Sequence, residues 1–210
     1  MSTGFNPVRL GQAVTRRLRS DEATQIVEFA ISLPLLVLFV IGIFDFSSAI
    51  TLRQKLANAA REGARVAAAD PANDLSGSSS GVPVSVSDAF QAVDTYLLSE
   101  NINDCKLGSQ KPIAGGPLVW SSNAQGNGCP TFGVTFTISR GYYFAETGAT
   151  QASASCIPVQ VASGQIAVVG TCVTVQYAYQ WQFGGVSGLF GKTFVGPSIL
   201  SSTAVAFDEN

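Results

Sequence analysis

The chain has 210 residues, 46% of them hydrophobic and only 12% charged, with a mean hydropathy of +0.28 and a formal net charge of −2. One core of ordinary domain size plus an anchor and tails fits this length, and two comparable domains do not. The twelve basic residues form no stripe interleaved with aromatics, which argues against nucleic acid as a partner, and the absence of histidine removes Ser-His and Cys-His nucleophile pairs and the commonest zinc ligand. No enzyme, cofactor or metal is expected.

Residues 1–23 form a basic leader, with Arg9, Arg16, Arg17 and Arg19 before the first acids at Asp21 and Glu22. It is expected to remain cytoplasmic. From Phe29 to Phe44 sixteen residues carry no charge, and with Ile26, Val27 and Phe46–Leu52 the run approaches the ~20 residues that cross a bilayer. The helix formers of Leu52–Ala69 carry the helix onward to the stop at Asp70-Pro71. Residues 24–69 are therefore predicted as one helix, half membrane span and half projecting stalk, about 70 Å long at ~1.5 Å per residue.

The positive-inside rule does not orient this span, because four arginines precede it and Arg53, Lys55, Arg61 and Arg65 follow it. The cysteines do. All four lie C-terminal to the span, and an even set without C-x-x-C spacing favours disulfides in an oxidising compartment over zinc. The expected protein is single-pass in the inner membrane, with its C-terminal part periplasmic or at the cell surface.

Residues 70–83, rich in Gly and Ser, read as a flexible linker, and 84–210 as an extracytoplasmic β-rich domain. Ser87 or Asp88 could cap a helix to about Ser99, with Phe90, Val93, Leu97 and Leu98 near one face. Alternation at Phe132–Ile138 and at Val173–Phe183 predicts strands, and others are expected near Leu118–Trp120, Ile157–Val161, Gln165–Val169 and Ile199–Phe207. The fold class is α+β, a long N-terminal helix followed by an antiparallel sheet with a packed helix. Gly115-Gly116, Gly126/Gly128 and Gly184-Gly185 are read as turns, and no internal repeat is present.

Cys105, Cys129, Cys156 and Cys172 permit three pairings. The moderate loops closed by Cys105–Cys129 and Cys156–Cys172 favour that pair of bridges. Ala60, Gly63, Ala64 and Ala67 recur at three- and four-residue spacing, which would let another helix approach closely; alanine as a plain helix former is the alternative. Glu62 can relieve Arg65 at i,i+3. Pro34 removes one backbone hydrogen bond inside the span and is read as a kink. Asp45, near its outer end, can reach interfacial water, with a buried role between subunits as the alternative.

Glu28 stands at the start of the apolar run, where an unpartnered carboxylate entering hydrocarbon costs on the order of 2.5–3.5 kcal/mol. An ordinary acid at a helix N-terminus, favoured by the macrodipole, is one reading. The stretch Ala23-Thr24-Gln25-Ile26-Val27-Glu28-Phe29 resembles the processing site of type IV prepilins of the Flp kind, with alanine where those have glycine before the cut. With Leu33-Pro34-Leu35-Leu36, Gly42-Ile43-Phe44-Asp45-Phe46 and Ala59-Ala60-Arg61-Glu62-Gly63-Ala64-Arg65, residues 24–69 resemble the TadE-like family. The resemblance implies a minor pilin or pseudopilin of a Tad-type pilus, cut between Ala23 and Thr24 by a prepilin peptidase. It also implies that Glu28 faces the Thr24 amine of a neighbouring subunit. The partners implied are membrane lipid, other pilin-like subunits and the assembly machinery.

Two other readings compete. Ser47-Ser48-Ala49 has the small-residue form of a secretory cleavage site, but the apolar segment is too long and its helix unbroken; Arg16-Arg17 alone is a weak twin-arginine signal. Functionally, a membrane-tethered binding module presenting Tyr177, Tyr179 and Trp181 is the alternative to a pilus component.

Overall fold

A computed structural model describes residues 21–71, 75, 81–126, 128–129, 132–145, 156, 167–181 and 198–208. The leader 1–20, the strand expected at 157–161 and the glycines at 184–185 lie outside these residues. Helix α1 runs Asp21–Ala69, helix α2 Val84–Ser99, and a 3-10 turn occupies Leu107–Ser109. Five strands follow: β1 Ile113–Gly116, β2 Val119–Ala124, β3 Val134–Ala145, β4 Ala167–Ala178 and β5 Ile199–Phe207. They form one sheet in sequence order, every neighbouring pair antiparallel. The α+β class is thus observed: a long apolar helix, then an antiparallel sheet with a packed helix.

The chain divides into two compact units, Met1–Phe46 and Ser47–Asn210. In the first, the described residues are helical from Asp21 onward, with Pro34 inside the helix. Ile26, Phe29, Ile31, Leu36, Phe39, Ile43 and Phe44 are each more than 60% exposed, so this half of α1 is apolar on its outside.

The second unit begins at Ser47, well before the end of α1, so it takes in the half of α1 read as the projecting stalk. Leu56, Ala59, Ala60, Ala64 and Ala67 are 0–1% exposed and belong to the same core as Val86, Val93, Phe136, Ile138, Val173 and Val175. Burying a Leu, Ile or Val side chain of this kind contributes about 1.5–3 kcal/mol, so this half of α1 is bound to the sheet as part of the domain. Of the expected linker 70–83, Leu75 packs against that core.

The sheet puts alternate residues on the helix layer, with Trp120, Ser122 and Ala124 on β2 and Val134, Phe136 and Ile138 on β3 buried. α2 packs Phe90 edge-on against Phe136, ring centroids 5.4 Å apart. Its start lies a turn earlier than Ser87 or Asp88, at Pro83, with no side-chain cap. Proline supplies a fixed φ at a position where no donor is needed. Its end is a Schellman closure: Asn101, at φ 55°, donates to the Leu98 carbonyl and Ile102 to that of Leu97.

Other elements shift from the sequence reading in instructive ways. Gly115 and Gly116 lie in strand β1, which no alternation announced because all four of its residues are exposed. The strands predicted near Gln165–Val169 and over Val173–Phe183 are one strand, Ala167 to Ala178, and Gly133, at φ 58°, begins β3's approach because any Cβ there would collide with the Ala124 carbonyl.

Candidate functional site

Within the first unit, Glu28 and Thr24 both lie on exposed positions of α1, four residues apart and hence one turn apart on one face. Ala23 is helical as well. An 18-residue window of this helix reaches a mean hydropathy of 2.6 with none of it buried, which makes it a candidate membrane span by length and composition. Asp45 is buried, 4% exposed, where the sequence reading had it reaching water.

In the second unit, α1 brings Ala60, Gly63, Ala64 and Ala67 together on one face as their spacing requires. That face is occupied. A Cβ on Gly63 would stand 2.6 Å from Val93 Cγ2, 3.4 Å from the Ala89 carbonyl and 3.5 Å from Val173 Cγ1. The small residues therefore admit this chain's own α2 and β4. The helix that the spacing lets approach closely is thus α2 of the same chain.

The cysteines stand in two pairs. Cys105 and Cys129 are bridged with Cα atoms 5.6 Å apart, Cys156 and Cys172 at 5.5 Å. The first bridge ties the loop after α2 to the β2–β3 connection, where Gly126 also donates to the Cys105 carbonyl at 2.8 Å. The second lies on the sheet face away from the helices, beside Val205 and with Thr174 Oγ1 3.2 Å from Cys156 Sγ. Among the described residues no group of three metal-ligating side chains exists.

A buried cation that the sequence reading missed closes the far end of α1. Arg140 follows Val134, Phe136 and Ile138 at period two on β3, so its side chain enters the helix layer, where it is 1% exposed. Its Nη1 donates to the carbonyl of Ala67 and to Thr171 Oγ1 at 2.8 Å, and its Nη2 to the Asp70 carbonyl at 3.2 Å. Asp208, 3.4 Å from Nη1, supplies the countercharge and accepts from Thr171 Oγ1 at 2.7 Å. A cation on the last carbonyls of a helix complements its dipole. The signal was present: extending the alternation of β3 by one step puts an arginine inside.

Two further ion pairs lie nearer the surface. Arg65 meets Glu62 at 2.6 Å one turn away, and this hydrogen bond holds the Glu62 carboxyl below its ordinary value. Lys55 binds Glu100 at 3.1 Å. Asp94 on α2 is pushed the other way, its carboxyl raised by burial and then by the charge of Asp104, against a backbone hydrogen bond from Gly108.

The aromatic side chains considered for a binding module are partly buried. Tyr177, Tyr179 and Trp181 all pack against the core, Tyr179 and Trp181 in edge contact at 5.0 Å, and burial followed by the charge of Asp104 raises the Tyr177 phenol. Each ring keeps part of its surface exposed.

Residues 24–65 match the model of the TadE-like protein family. No curated protein and no solved structure matches the chain.

Proposed function

We propose that this chain is a membrane-anchored subunit of a Tad-type pilus assembly system, a minor pilin or pseudopilin that acts by assembly rather than catalysis. The observation that carries the reading is the coincidence of the family match over 24–65 with a helix whose first half is apolar and exposed, Glu28 near its start. The two disulfides favour an oxidising compartment for the distal domain, hence an inner-membrane anchor with a cytoplasmic N-terminus.

In this reading a prepilin peptidase cuts between Ala23 and Thr24. The freed α-amine of Thr24 then compensates Glu28 of a neighbouring copy, since either charge alone in lipid is costly. With Ala60, Gly63, Ala64 and Ala67 engaged inside the domain, lateral contact through α1 falls to the span before Ser47.

N-terminal sequencing of the mature protein and a Glu28→Ala variant test this together. The expected mature chain starts at Thr24, and Glu28→Ala inserts in the membrane but yields few or no surface pili. An uncleaved chain whose Glu28→Ala variant supports normal piliation would remove the reading.

A further inference from the structure

Two sheet edges are open among the described residues, since β5 pairs only with β4 and β1 only with β2. β5 is nine residues long and holds no charge, proline or glycine. Proteins usually blunt such an edge, and one left bare is a place for another chain. A groove of about 600 Å³ runs beside it, formed by Ile50, Arg53, Gln54 and Ala57 of α1 and by 201–203 of β5.

A second groove, next to the start of β1, holds a carboxylate. About 660 Å³ in volume, it separates α2 from the segment entering β1 and is lined by Ser87, Gln91, Asp94, Gln110 and Lys111. Asp94 Oδ1 is buried in it without a hydrogen-bond partner. Asp104 adds a second negative charge nearby, and among the residues lining the groove Lys111 is the cation.

Strand direction decides how two copies could meet. Four successive antiparallel pairings make β1, β3 and β5 run the same way. α1 runs with β5: Ser202 Oγ donates to the Arg53 carbonyl, and Asp208, just past β5, meets Arg140 where that arginine holds Ala67. The fourteen residues from Arg53 to Ala67 rise about 21 Å, and the six from Ser202 to Asp208 about 20 Å. Pairing β5 with β5 about a two-fold axis would place the two Ser47 ends at opposite ends of the dimer, which two spans in one membrane oppose. A head-to-tail contact keeps them together, and it does not close.

We propose that copies of this chain associate head to tail, the β5 edge and Arg53 groove of one copy seating on the β1 edge and Asp94 groove of the next. The Arg53 guanidinium then supplies the cation that the Asp94 carboxylate lacks. β1 offers only four exposed residues, so the strand contact is short and the grooves supply the selectivity. The inference rests on the apolar helix being a membrane span and not on the pilus assignment.

The full-length protein, reconstituted in phosphatidylethanolamine–phosphatidylglycerol vesicles with a photoreactive benzoylphenylalanine in place of Ser201, tests it without any pilus machinery. Irradiation should give a ladder of dimers, trimers and higher species, with the crosslink mapping to residues 110–116. Arg53→Asp should reduce the ladder about tenfold or more, as should Gln91→Arg, which faces Arg53 with a like charge, and the two together should restore it. Melting temperatures of the variants check folding, and Gln91→Arg alone decides the matter if Arg53→Asp is unstable. Monomers only, a dimer crosslinked between the two 201 positions, or a ladder unaffected by either folded variant would each overturn the proposal.

Discussion

Arg140 is the residue on which most of the domain's polar order depends. Removing it leaves Asp208 buried without its cation and the last carbonyls of α1 without donors, a loss of about 3–5 kcal/mol for a broken buried pair. Arg140→Met should therefore lower the melting temperature in detergent, followed by circular dichroism, by on the order of 10 °C. Asp208→Asn should cost less, because Thr171 can still donate to it. Asp94 gives a prediction of opposite sign. Its carboxyl is raised above the ordinary value by burial first and Asp104 second, so the folded state favours the protonated form. That stabilising contribution is fully present below the unfolded-state pKa and is lost as pH rises through the folded one. Asp94→Asn, which mimics the protonated form, should thus be more stable than the parent at pH 7, by less than about 1 kcal/mol for so exposed a group, and equal to it in acid; thermal melts at both pH values check this.

Helix α1 shows how one element can serve two environments. Its first half is apolar on the outside and its second half only on the side that meets α2 and the sheet. Sequence periodicity located both halves, and the small residues at 60, 63, 64 and 67 were legible as a close-approach face. What touches that face was not legible, since a helix of this chain and a helix of another subunit ask for the same small side chains. Gly63→Ala should destabilise the domain by about 1–3 kcal/mol through overpacking against Val93, and Ala64→Leu by more, both read as melting temperature. Were the face an intermolecular one, both variants would melt like the parent and lose only assembly.

For the whole molecule, the two bridges link elements that periodicity alone does not connect, and they determine how it responds to redox conditions. Protein extracted without reductant should react with alkylating reagent at none of its four cysteines, and at all four after reduction in denaturant, by mass measurement. Loss of either bridge removes about 3 kcal/mol by loop entropy, enough to matter against an ordinary total of 5–15 kcal/mol. Labelling of native, unreduced protein would instead place the domain in a reducing compartment and reverse the proposed orientation.

The sequence by itself determined the apolar helix, the α+β class and the strands at β3, β4 and β5, because side-chain alternation and helix periodicity are local properties of a half-buried element. It also carried the family match, which lies wholly in that helix. Only the tertiary structure decided that the domain begins at Ser47, that the small-residue face is closed by α2 and β4, and that Arg140 and Asp208 meet across 68 positions of sequence. Those are questions of which surfaces pair. Periodicity marks a surface as apolar or close-packing, and the identity of its partner depends on the direction and register of elements far apart in the chain.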